Sequence, residues 1–124
     1  MNVVDTSGWL AYFAGEPGAK HFAPALQAPQ ELVVPTITLY EVFKVVLRES
    51  TENAALQAVA AMQKGTVVDL TPKLAMAAGK LSLRHALPMA DAVILATALA
   101  FEATLWTQDA HFKGIGGVRH FPKK

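Results

Sequence analysis

The sequence predicts an α/β fold in which a mainly parallel central sheet is covered by helices on both faces. Four short runs rich in Val, Ile and Leu recur along the chain: NVV at 2–4, LVV at 32–34, TVVDL at 66–70 and TLW at 104–106. None alternates with polar residues, which is how strands buried on both faces read. Helical segments of ten or more residues lie between most of them, so the connections are right-handed crossovers within one parallel sheet.

The elements follow in order. NVV is the first strand, and Thr6-Ser7 offers a cap for a helix through WLAYF. AKHFAPALQA, between GEPG and a proline, is the second helix. After LVV, the segment TLYEVFKVVLRE places Leu39, Val42, Phe43, Val46 and Leu47 on one helical face. The alanine-rich TENAALQAVAAMQ stops at Lys64-Gly65, with Gly as its C-terminal cap. Past TVVDL, Thr71-Pro72 opens a helix running to about His85, proline being well suited to a first helical position. ADAVILATALAF is apolar almost all the way round and belongs in the middle of the molecule. TLW then closes the sheet region.

Length and composition set bounds. A chain of 124 residues is expected to form one domain over 1–124 and to bury roughly two thirds of its unfolded surface. It has no cysteine, which excludes a disulfide framework and a thiolate metal site and suits a reducing compartment. The first segment lacks the basic start and apolar stretch of a signal peptide, and no apolar run approaches the ~20 residues of a membrane span. A soluble, cytoplasmic protein with no membrane partner is expected. Net charge is +1, but its distribution is uneven. Up to Asp109 there are seven Lys or Arg against ten acids, a net −3; beyond it lie Lys113, Arg119, Lys123 and Lys124 with no acid. That tail is a candidate phosphate-contacting segment or a solubilising end.

The informative residues are acidic. In parallel sheets, sites form beyond the carboxyl ends of the strands. Asp5 follows the first strand, Glu41 lies early in the helix after LVVPT, Asp91 opens the apolar helix, and Asp109 follows TLWTQ. Each has a structural explanation. Asp5 would cap a helix, Thr38 and Glu41 match a capping box, Asp91 suits a helix dipole, and Asp109 suits a turn. Taken together they demand more. Two carboxylates about 4 Å apart repel by ~4 kcal/mol at an effective dielectric of 20. No Lys or Arg stands beside Asp5, Asp91 or Asp109 in sequence, and a hard divalent cation is the natural counter-charge for an all-oxygen cluster.

VVDTS, the apolar-flanked Glu41 in TITLYEVFKVVL, and MADAVILATALAFEATLWTQDAHF resemble the four acidic motifs of PIN-domain ribonucleases, and within them the compact VapC toxins of toxin–antitoxin pairs. The resemblance spans essentially the whole chain. It implies a PIN-like three-layer sandwich with a sheet of about five strands. It also implies a Mg²⁺- or Mn²⁺-dependent endoribonuclease with RNA as substrate, a cognate antitoxin as partner, and a homodimer. Asp5, Glu41, Asp91 and Asp109 would be the acidic site. Asp5 and Asp91 would ligate the metal directly or through water, and Asp109 would complete the site or hold a second ion when substrate oxygens are present. Glu41 would orient or deprotonate the attacking water, while Thr107 and Thr6 or Ser7 supply supporting hydroxyls. Lys44 and Arg48 could face an RNA backbone, and Trp9, Tyr12 and Phe13 a partner helix. None of His21, His85, His111 and His120 has a zinc-site spacing, His111 being the nearest to an acid. Two other readings fit the acids less well. An aspartyl-phosphate enzyme would need an acid beside its nucleophile, which VVDTS lacks. The other is a non-catalytic RNA-binding or protein-interaction module, against which the complete set of acids argues, since a pure RNA binder gains nothing from a negatively charged cleft.

Overall fold

The computed structural model describes residues 1–123, so Lys124 of the basic tail lies outside the described residues. Five strands form two all-parallel pieces. β1 (Asn2–Val4) pairs with β4 (Thr104–Thr107) and β4 with β5 (Val118–His120), while β2 (Val33–Pro35) pairs with β3 (Thr66–Val68). A parallel bridge between Asn2 and Leu32 joins the pieces, giving the lateral order β3-β2-β1-β4-β5.

The apolar runs send neighbouring side chains to opposite faces, as successive residues of a strand must. Val3, Val33 and Leu105 join one core cluster with Ile94 and Leu95; Val4, Val34 and Trp106 join the other with Trp9, Phe22 and Met62. The second face is covered by α1 (Thr6–Ala14), α2 (Ala19–Leu26), α3 (Thr36–Glu49) and α4 (Glu52–Met62). The first is covered by α5 (Pro72–His85) and α6 (Met89–Ala100). In α6 every residue from Ala92 to Ala98 is buried, and the Thr97 hydroxyl is satisfied by the Val93 carbonyl at 2.8 Å. This is the three-layer arrangement expected from the sequence.

Several local expectations are revised. Asp5 caps α1, so the helix starts at Thr6 and neither Thr6 nor Ser7 is the cap. α3 starts at Thr36, and the Thr38 hydroxyl donates to the Pro35 carbonyl at 2.7 Å. Thr38 is thus inside the helix, no capping box exists, and Glu41 is free for other partners. Gly65 lies beyond the α4 cap, Gln63; it is small because a Cβ there would come within 2.9 Å of the Leu32 carbonyl oxygen. β5 escaped sequence reading because an edge strand with one apolar residue carries little signal. Arg119 of the basic tail belongs to β5 and lies 4.3 Å over the Trp106 ring, so it is engaged in a cation–π contact. Trp9 is 3 % exposed and is core rather than a partner surface. No single helix among the described residues is long and apolar enough to cross a membrane.

α1 packs so tightly on β1 that its third residue must be glycine. A Cβ at Gly8 would lie 2.6 Å from Val4 Cγ1 and 2.8 Å from the Phe22 ring. Gly8→Ala is therefore expected to destabilise the protein by about 1–3 kcal/mol, overpacking outweighing alanine's helix preference. Urea denaturation measures this, and a variant as stable as its parent contradicts the packing described.

Candidate active site

The carboxyl ends of β1, β2 and β4 and the start of α6 meet at one edge of the sheet. Asp5 leaves β1 directly and is held by the neighbouring strand, its backbone amide donating to the Trp106 carbonyl at 3.1 Å. Its carboxylate is 2 % exposed. Oδ1 accepts from the Ser7 hydroxyl at 2.7 Å and the Gly8 amide at 3.0 Å, and Oδ2 accepts from the Thr107 hydroxyl at 2.6 Å. The capping contact and the site position are thus properties of the same side chain. A carboxylate offers about four acceptor positions, so one on Oδ2 remains open.

Thr107 links two of the acids. While donating to Asp5, its hydroxyl accepts from the Asp109 backbone amide at 2.8 Å, which fixes the turn carrying Asp109. Asp109 caps the short 3-10 turn Ala110–Phe112, accepting from the His111 amide at 2.9 Å. The His111 ring folds back: Nδ1 stands 2.9 Å from Asp91 Oδ2 and 3.2 Å from Asp109 Oδ1. Ligand atoms of Asp91, Asp109 and His111 all lie within 4.8 Å of one another. Glu41, on α3, accepts a 2.5 Å hydrogen bond from the Thr6 hydroxyl, 35 residues away.

Electrostatics show that the four acids share one field. Burial pushes the Asp5 carboxyl up to about 6, against the hydrogen bonds of Thr107, Ser7 and Gly8, and the Asp109 charge adds to the rise. Burial also raises Asp91; the His111 hydrogen bond pulls it back, and the charges of Asp109 and Glu41 push it up again. The His111 imidazole is raised by its hydrogen bond to Asp91 and by the Asp109 charge. Among the described residues no Lys or Arg forms an ion pair with any of the four acids. A buried carboxylate served only by neutral donors, beside two more that share a single imidazole, is a donor set that fits a hard divalent cation.

A family model for the PIN domain matches residues 3–118. The chain belongs to the PIN domain family.

Solved structures agree with the fold. A toxin–antitoxin complex from Klebsiella pneumoniae is similar at 26% identity and TM-score 0.83, over 99% of this chain and 100% of that one. VapC20 of Mycobacterium tuberculosis, described as a sarcin-ricin-loop-cleaving toxin, is similar at 24% identity and TM-score 0.75, over 94% and 95%. VapBC2 of Rickettsia felis, solved bound to a promoter DNA fragment, is similar at 16% identity and TM-score 0.74, over 98% and 97%. No curated protein matches the sequence.

In this PIN domain the four acids named from sequence gather at one edge, with Thr6 and Thr107 bonded to two of them. Asp5 stands behind the tight group of Asp91, Asp109 and His111 and is coupled to it through Asp109. His111 has no metal-site spacing in the sequence. Its only signal there was a position two residues after Asp109, in the turn that Asp109 caps. Lys44 lies 5.6 Å from the Tyr40 ring centre, and Arg48 pairs with Glu49 at 3.6 Å on the surface.

The raised carboxyl of Asp5 has a consequence for stability. The folded chain holds this proton more tightly than the unfolded chain, so stability of the cation-free protein falls as pH rises from about 4 to about 6. Asp91 acts in the same direction. At one pKa unit per 1.36 kcal/mol, the Asp5 contribution lost by neutral pH is about 3 kcal/mol. Asp5→Asn should flatten this part of the curve in chemical denaturation with EDTA between pH 4 and 7.5. Parallel curves for parent and variant would remove Asp5 as the cause.

Proposed function

We propose that the chain is a Mg²⁺- or Mn²⁺-dependent endoribonuclease, one PIN-like nuclease domain over residues 1–124, acting in the cytoplasm as the toxin of a type II toxin–antitoxin pair. The observation that carries this reading is the meeting of Asp5, Glu41, Asp91 and Asp109 at one sheet edge with no Lys or Arg counter-ion among the described residues. Asp91 and Asp109 would hold the cation, and Asp5 would reach it through the open position on Oδ2. When bound, such an ion lowers the pKa of a water and neutralises charge growing on a phosphate.

The chain's own groups do the positioning. Thr107 and Ser7 fix the Asp5 carboxylate in one orientation, and Thr107 also ties the Asp109 turn to it. Thr6 fixes Glu41, which would orient the attacking water and take its proton. Attack on phosphorus then breaks one phosphodiester P–O bond, leaving two RNA ends. Exposed Lys44 would meet the RNA backbone.

The toxin assignment draws support from the Klebsiella pneumoniae toxin–antitoxin complex, which matches over nearly the whole of both chains. A groove of about 840 Å³ lies beside the acidic edge, bounded by Ser7 and Gln108 and lined by Leu10, Phe13, Val46 and Ala58. A helix of the cognate antitoxin would occupy it, with Phe13 rather than Trp9 as the aromatic contact. A second copy of the chain would cover the exposed Tyr40, Met76, Leu83 and Met89 in a homodimer.

Purified protein is expected to cleave RNA with Mg²⁺ or Mn²⁺, and EDTA to stop it. Asp91→Asn and Glu41→Gln should each lower the rate on the order of 100-fold or more while the circular dichroism spectrum is kept. End-labelled RNA on a sequencing gel gives the readout. Undiminished cleavage by Asp91→Asn contradicts the assignment, and RNA binding without cleavage by the parent points to a binding module instead.

A further inference from the structure

We propose that His111 supplies a nitrogen ligand to the cation held by Asp91 and Asp109, and so shifts metal selectivity away from Mg²⁺ toward first-row transition ions. The inference rests on the reading of this edge as a divalent-cation site and adds a residue that the acidic motif does not contain.

The geometry points to it. His111 Nδ1 stands 2.9 Å from Asp91 Oδ2 and 3.2 Å from Asp109 Oδ1, two carboxylates on different elements. Ligand atoms at right angles about an ion ~2.1 Å away stand roughly 3 Å apart. The separations present are therefore those of adjacent ligands as well as those of hydrogen bonds. A cation shared by Asp91 and Asp109 would find the nitrogen within reach, its lone pair taking the place of the N–H. The ring is placed from its own backbone, since the His111 amide bonds to Asp109 Oδ1 at 2.9 Å and holds the residue in the turn that Asp109 caps. An ordinary surface ion pair would join one imidazole to one acid. Here a single imidazole, at most +1, meets two carboxylates, with the charges of Asp5 and Glu41 close behind.

Chemistry sets the direction of the selectivity. Mg²⁺ keeps its waters and favours oxygen, gaining little from imidazole, whereas affinity for a site with a nitrogen donor rises from Mn²⁺ to Co²⁺.

Isothermal titration calorimetry of the full chain with MgCl₂, MnCl₂ and CoCl₂ tests this in the parent, His111→Ala and Asp91→Asn proteins. Because the His111 side chain is exposed, its alanine variant should fold. His111→Ala is expected to weaken Co²⁺ and Mn²⁺ by about 10- to 100-fold, Co²⁺ more than Mn²⁺, and Mg²⁺ by less than about threefold. Electron spin echo envelope modulation of the Mn²⁺-loaded parent should show a nitrogen coupling that His111→Ala removes while His21, His85 and His120 remain. Equal losses for all three ions, no losses, or a nitrogen coupling that survives in His111→Ala overturn the ligand assignment while leaving the cation site intact. If no ion binds the parent more tightly than Asp91→Asn, the cation site itself fails and His111 with it.

Discussion

Asp5 carries a carboxylate that is 2 % exposed, and all three of its donors, Ser7, Gly8 and Thr107, are neutral. Burying a charge without a counter-charge is expensive, and the carboxyl group pushed up to about 6 records that cost. Much of the surrounding structure follows from this constraint. The side chain cannot turn away, because the cap of α1 and the hydroxyl at the end of β4 both depend on it. It is little solvated, because the sheet edge and the packed start of α1 close around most of it. What remains is a position where negative charge is costly, and a nearby cation would lower that cost.

The fold brings further charge to the same place. Parallel strands all deliver their carboxyl ends to one edge, so residues as distant as Asp5 and Asp109 become neighbours through the pairing of β1 with β4. The seven consecutive buried residues of α6 anchor that helix in the middle of the molecule and hold Asp91 where its first turn emerges. Thr6 and Thr107 then act as spacers, each tying one carboxylate to a second element. His111 gives partial compensation, one imidazole set against a group of acids. The arrangement suits a divalent ion because, among the described residues, one imidazole is all that faces the group of acids.

The layers and the acids were legible in the sequence for a simple reason. Strands buried on both faces leave unbroken runs of Val, Leu and Ile, and α6 can be apolar all round only at the centre. What resisted reading were contacts decided by geometry. Asp5 as a cap and Asp109 as a turn residue also have places at the acidic edge, so roles that read as alternatives in the sequence coexist. The Thr38–Glu41 capping box fails because the α3 cap lies three residues earlier, at Pro35, which leaves Glu41 free for Thr6. β5 pairs through backbone hydrogen bonds, which any sequence can make, and its single valine gave no pattern. His111 depends on a ring rotation within a capped turn, and spacing alone does not reveal a rotamer.

Anomalous scattering from crystals soaked in Mn²⁺, recorded above and below the manganese absorption edge, gives the most direct measurement of whether this edge holds an ion. The expected result is a difference peak bounded by Asp91 and Asp109, with the open oxygen of Asp5 turned toward it. A map with no peak there at saturating Mn²⁺, or one in which these oxygens point apart, would mean that the buried charge is relieved in another way and that the acidic edge is no metal site.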